Sequence, residues 1–196
     1  MVGKVGTDLH TTVFDPAVAR ELVARAAEYG SVIKGHYTDY VSNPEDYPRA
    51  GMGGANVGPE FTEAEYGALE QLARKEETLL VQGKVTAPSG MMAALRDAVV
   101  TSGRWEKWRQ AEETGLAFDQ LSAERQGWLV RTGCRYIWSA PEVVSARKRL
   151  YANLDAAGEE SERVVLRAIG EAIRRYYREF GVEGTNGRVE AALASS

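Results

Sequence analysis

Every segment of this chain that reads as a β-strand lies before Thr62, and from there onward the pattern is almost entirely helical. That asymmetry restricts the possible folds more than any single motif. The strand-like segments are Val2–Thr7, SVIKGHY at residues 31–37 and GGANVGPEF at residues 53–61. Consecutive parallel strands need crossover connections and cover on both faces. Three of them can neither close into a barrel nor cover themselves. An open layer capped by helices satisfies the pattern in principle. The last three strands of a (β/α)8 barrel, followed by a small all-helical domain, fit it better. On that reading the fold is α/β but predominantly helical, and the chain is expected to be truncated or one piece of a split gene.

The helices carry clear start and stop signals. In TTVFDPAVARELVARAAEYG, Asp15 is placed to cap and Pro16 to occupy the first helical position, where its missing N–H costs nothing. Val18, Leu22, Val23 and Ala26 recur at helical spacing, and Gly30 supplies the stop. Thr62 and Glu65 form a capping box for a helix running to about Gln82. GKVTAPSG at residues 83–90 reads as a linker. Further helices are predicted over Met91–Thr101, Gly103–Glu113, Ser122–Gly133, Pro141 to about Leu154, and Glu160–Phe180. The expected organisation is therefore barrel strands and helices over 1–82, a helical domain over 83–180, and a frayed tail over 181–196.

Composition narrows the function classes. With a net charge of −4 and a pI near 5.4, the chain lacks the basic footprint of a nucleic-acid binder. No apolar run approaches the ~20 residues that a membrane span needs. The N-terminus MVGKVGTDLH lacks the apolar core of a secretion signal. The single cysteine, Cys134, excludes an intrachain disulfide, so a cytoplasmic location is expected and Cys134 reads as a core thiol.

Candidate site residues collect at the predicted strand ends. GMGGANVGPEF places Gly53, Gly54, Asn56 and Gly58 just before a helix start, where backbone N–H groups can approach a phosphate. The acidic Glu60, Glu63 and Glu65 at the same helix start oppose an anion there. His36 and Asp39 end the preceding strand, as catalytic residues do in barrels, and His36 is the candidate metal ligand. Side chains three residues apart in a strict strand point to opposite faces. Asp39 must therefore lie in the loop to meet His36, or else it caps the loop backbone. Asp8, followed by His10, closes the first strand and is a third candidate. Lys4 and Lys34 read as rim lysines. Trp105, Trp108, Trp128, Trp138 and Tyr176–Tyr177 read as helical core, with some of them available to a partner. The basic runs Arg147–Arg149 and RRYYRE read as solvated helix faces.

Laid out in order, these segments resemble the non-catalytic subunit of class II tagatose-bisphosphate aldolase, the GatZ/KbaZ family, in its C-terminal part. VGTDLHTTVFDPAVARELV is similar to the family's sixth strand and helix. His36–Tyr40 resembles its His-x-Thr-Asp-Tyr strand end, and Val57, Gly58 and Pro59 its Val-Gly-Pro ending. A helix with a paired-acid segment follows, then Trp105–Trp108, Arg135–Trp138 and Asn153–Leu154. Two departures are the richer glycine content of GMGGANVGP and the acidic helix after it.

The resemblance implies an accessory subunit that supports the activity and stability of the catalytic subunit of a tagatose-1,6-bisphosphate aldolase. It implies breakdown of galactitol or N-acetylgalactosamine as the setting. It also implies a class II aldolase catalytic subunit as partner, with zinc in that subunit, no cofactor in this chain, and a sugar phosphate as possible ligand. A class II zinc site uses three histidines and this chain has two, His10 and His36. The alternatives are a divergent sugar-phosphate aldolase or epimerase of TIM-barrel fold, with His36, Asp39 and Asp8 at the mouth, and a helical interaction remnant without activity.

Overall fold

The computed structural model describes residues 2–8 and 11–195. It is predominantly helical, and its three strands are only two residues long each: β1 Val2–Gly3, β2 Lys34–Gly35 and β3 Gly54–Ala55. They pair in parallel in the order β1-β2-β3, with Val2 opposite Lys34 and Gly35 opposite Ala55. The long predicted strands thus contract to two residues each, at the start of the first and third segments and the centre of the second, and the residues around them become loops.

The helices are α1 Pro16–Ala27, α2 Asp46–Arg49, α3 Pro59–Val81, α4 Met91–Thr101, α5 Ala123–Gly133, α6 Pro141–Asp155, α7 Ser161–Glu179 and α8 Thr185–Ala194. Among the described residues no helix is long and apolar enough to cross a membrane. The chain divides into two compact units, Met1–Glu60 with Gly170–Ser196, and Phe61–Ile169. The boundary therefore falls before the predicted linker at 83–90, and the C-terminal residues join the first unit.

In the first unit, α1 starts as its signals dictate. Asp15 Oδ1 accepts from the N–H groups of Ala17 and Val18 at 2.9 and 3.1 Å, with Pro16 in the first turn. The buried face is small: Ala19 and Ala26 are sealed, whereas Val18, expected in the stripe, is exposed. Below the sheet sits Tyr47 of α2, 2% exposed, stacked on Phe14 at 3.9 Å and 5.7 Å from Phe180. Gly35 makes room for it, since a Cβ there would lie 2.5 Å from Tyr47 Cε1. Helix α8 occupies the predicted tail and buries none of its residues.

The second unit has its own core, with Leu69, Leu95, Leu129, Leu150 and Leu154 fully buried. Two local expectations are corrected here. Helix α3 begins at Pro59, so Thr62 and Glu65 lie inside it and form no capping box. Thr62 is buried, and Glu65 pairs with Arg147 at 3.2 Å. The helix predicted over Gly103–Glu113 is instead two 3-10 turns, Arg104–Trp108 and Ala111–Glu113. Gly103, at φ 63°, stops α4, and the tighter winding sinks Trp105 edge-on against Phe118 at 5.2 Å.

Cys134 is fully buried at the end of α5, and burial pushes its thiol up to about 12. A native sample should therefore leave a disulfide-exchange reagent such as Ellman's reagent almost unconsumed at neutral pH, and react with one equivalent on unfolding. Rapid labelling of the folded chain would contradict this burial.

Candidate functional site: a strained loop latched to a helix start

The segment after β2, His36–Tyr40, holds two non-glycine residues in the left-handed region, Tyr37 at φ 55° and Tyr40 at φ 57°. Such a backbone costs roughly 1–2 kcal/mol per residue and persists only where its surroundings determine it. Those surroundings are specific. Thr7 Oγ1 donates to the His36 carbonyl at 2.9 Å. The N–H of Thr38, a fully buried residue, donates to the Asn56 carbonyl at 3.2 Å, and the Asn56 N–H donates to the Gly35 carbonyl at 3.2 Å. Three strand ends are thus knitted together beyond the short sheet.

Asp39 then reaches the start of α3. Its Oδ1 accepts from the N–H of Gly58 at 2.9 Å and from that of Glu60 at 2.8 Å. A carboxylate here satisfies orphan donors and meets the positive end of the helix dipole. The capping thus comes from a loop earlier in the chain rather than from the Thr62–Glu65 pair.

Glu60 completes the latch in the opposite direction. Its Oε2 accepts from the Tyr40 N–H at 2.7 Å and from the Tyr176 hydroxyl. Arg175 Nη1 donates to Oε1 at 3.3 Å, and Arg175 Nη2 donates to the Val41 carbonyl. Tyr176 is 4% exposed and also lies within hydrogen-bond distance of the Thr38 carbonyl, 3.1 Å. Burial, reinforced by the Glu60 carboxylate, raises the Tyr176 phenol above its ordinary value. The Thr38 hydroxyl is buried and finds no protein partner among the described residues.

The other sequence candidates occupy separate places. His36 is exposed, with its ring 4.3 Å from that of Tyr37, whereas Asp39 is engaged at the helix start. The loop-capping role considered for Asp39 is the one its geometry serves. Asp8 closes a local turn: a carboxylate oxygen accepts from the Thr11 N–H at 2.9 Å, and Lys4 approaches at 3.5 Å. His10 lies outside the described residues. Gly53 is a packing position, because a Cβ would lie 2.9 Å from Val32 Cβ. Gly54 and Asn56 are exposed beside it, and the N–H of Gly58 already serves Asp39. An anion at this helix start would have to displace that carboxylate.

Among the described residues no three His, Cys, Asp or Glu side chains are placed to hold a metal ion together. Sequence reasoning missed Glu60, Arg175 and Tyr176 as a unit. Glu60 was legible only as a charge opposing an anion, and the RRYYRE run only as helix surface and core. Nothing local links positions more than a hundred residues apart.

These features define a mostly helical protein with a short parallel α/β edge, whose strand ends are tied to a helix start by two carboxylates. Residues 5–179 match the family described as D-tagatose-1,6-bisphosphate aldolase subunit GatZ/KbaZ-like, and the chain belongs to that family. No curated protein matches it in sequence.

Proposed function

We propose that this chain acts as an accessory, non-catalytic subunit that supports a class II tagatose-1,6-bisphosphate aldolase. In this reading the three strands are consecutive strands of a (β/α)8 barrel, and zinc belongs to the partner catalytic subunit. The family match over residues 5–179 supports the assembly. The sequential parallel order β1-β2-β3 supports the barrel reading, because consecutive βα units pair in that order.

The observation that carries the non-catalytic part is the double use of the helix start. The N–H groups of Gly58 and Glu60 are spent on Asp39, and the Glu60 carboxylate is spent on the Tyr40 N–H and Tyr176. Groups that would bind a phosphate or move a proton in an aldolase serve here to fix a loop. A galactitol or N-acetylgalactosamine setting, a cytoplasmic location and a sugar-phosphate ligand are part of the same proposal.

Co-expression with a class II tagatose-bisphosphate aldolase catalytic subunit tests it. The two chains should co-purify, and the catalytic subunit should keep its activity longer on incubation than it does alone. The isolated chain should not cleave the bisphosphate. A lone chain with aldolase turnover would overturn the reading, as would a catalytic subunit indifferent to its presence.

A further inference from the structure

The second unit carries a cluster of cations whose partners are aromatic rather than acidic. Lys107 Nζ lies 4.3 Å from the ring centre of Trp108 and 4.3 Å from that of Tyr136, and it donates to the Tyr136 hydroxyl at 3.1 Å. The guanidinium of Arg104 lies 5.0 Å from the same Tyr136 ring, and that of Arg135 lies 5.9 Å away. All three cations are exposed, and among the described residues none has a carboxylate within salt-bridge distance. Several other arginines of this unit do hold a carboxylate. Arg125 holds Glu113 at 2.6 Å, Arg131 holds Glu63 at 3.0 Å, and Arg147 holds Glu65 at 3.2 Å. Even Glu106, between Arg104 and Lys107 in sequence, approaches Arg109 at 3.7 Å instead.

Packing alone does not explain the arrangement. One cation over a ring is favourable, but three around one phenol repel one another. The cluster is also held rigidly. The turn Arg104–Trp108 is anchored by Trp105, 4% exposed, and the turn Cys134–Tyr136 by the fully buried Cys134. Arg125 Nη2 donates to the Trp108 carbonyl, and its guanidinium stacks over Trp128 at 4.6 Å, an exposed ring beside the cluster. Preorganised Arg, Trp and Tyr side chains are the residue types that dominate protein–protein binding energy.

We infer that Arg104, Lys107 and Arg135, set around Tyr136 with Trp108, form a docking surface for an acidic segment of a partner protein. Carboxylates of that segment supply the counter-charge the cluster lacks, while its stems lie on the two rings. Three cations on a chain of net charge −4 are too few for nucleic acid, whose binders neutralise many phosphates. The inference is independent of the assembly proposed above.

The test is fluorescence anisotropy of a labelled oligoglutamate peptide titrated with the full chain. Binding should be measurable at low salt and weaken as salt rises. The double variant Arg104→Gln/Lys107→Gln should bind about tenfold more weakly or worse, with an unchanged circular-dichroism melt, because both side chains are exposed. Arg163→Gln, which removes an exposed cation elsewhere in the same unit, should bind like the parent. The inference is overturned if the parent gives no anisotropy change, or if the double variant matches it. Tighter binding of a DNA duplex would overturn it in favour of nucleic acid. Displacement of the peptide by an equal concentration of inorganic phosphate would overturn it in favour of a small-anion site.

Discussion

Replacing Glu76 by alanine is expected to lower the stability of the helical unit by about 3–4 kcal/mol. Glu76 is 3% exposed in the C-terminal third of α3. Its two oxygens accept from the Ser89 N–H at 3.0 and 3.1 Å, from the Ser89 hydroxyl at 2.6 Å, and from Asn153 Nδ2 at 2.5 Å. Ser89 is itself 1% exposed, and its hydroxyl in turn accepts from the N–H of Met91 in the first turn of α4, at 3.3 Å. One carboxylate therefore fixes the end of the linker, the entry to α4 and a residue of α6. Truncation would leave buried donors without acceptors, and each such group costs about 1–3 kcal/mol. Glu76→Gln keeps the shape and one acceptor oxygen but turns an amide toward the Ser89 donors, so it should lose roughly half as much. Urea unfolding followed by circular dichroism measures both. A Glu76→Ala variant within 1 kcal/mol of the parent would mean that the carboxylate is not the organising group.

The second large effect is expected at Glu60. Glu60→Ala removes one of the two acceptors of the Tyr40 N–H, the other being the Tyr176 hydroxyl at 3.0 Å, together with the carboxylate acceptor of that hydroxyl and the partner of Arg175. A loss of about 2–3 kcal/mol is expected, because hydrogen bonds to a charged group exceed neutral ones and Tyr176 is buried. The loss should be accompanied by loosening of the His36–Tyr40 loop, since the carboxylate is one of the two acceptors that hold the left-handed Tyr40. Faster amide exchange at Tyr40, with little change in the second unit's core, is the distinguishing signature.

The same network sets a pH dependence. Tyr176 is raised above its unfolded value near 10, first by burial and then by Glu60. Its neutral form is thus favoured in the folded state. The associated stability is fully present below pH about 10 and is lost as pH rises beyond it. Tyr176→Phe should flatten that alkaline loss relative to the parent while lowering stability at neutral pH. If the alkaline limb is identical in both proteins, the phenol is not linked to folding. Tyr66 and Tyr151 are raised in the same direction by burial, so part of the limb should persist in the variant.

Much of the helical framework was legible because helix ends are local. Asp15-Pro16, the predicted span Met91–Thr101, the helix predicted over Ser122–Gly133 (one residue shorter at its start) and Pro141 as a first-turn residue stand where the sequence placed them. Each rests on side chain-to-backbone bonds or steric rules within four residues. The strands were legible in position but not in length. Their pairing depends on neighbours distant in the chain, so periodicity overestimated their lengths.

The family was also legible, from the order of HYTDY, VGP and the later aromatic segments. Residue chemistry at the strand ends was not. A histidine and an aspartate three positions apart read equally as a site or as loop structure, and sequence has no means of choosing. The tertiary structure decided, by bringing the Asp39 carboxylate to the N–H groups of Gly58 and Glu60, and Tyr176 to Glu60.

By itself the sequence determined a chain that changes from strand–helix alternation to helices near Thr62, and where most of those helices begin and end. Only the tertiary structure decided that the helix after β3 starts at Pro59, is capped by Asp39 from the preceding loop, and is tied by Glu60 to a tyrosine far along the chain. Capping and periodicity act over a few residues and are written in the local sequence. The latch joins groups whose proximity exists only once the chain has folded.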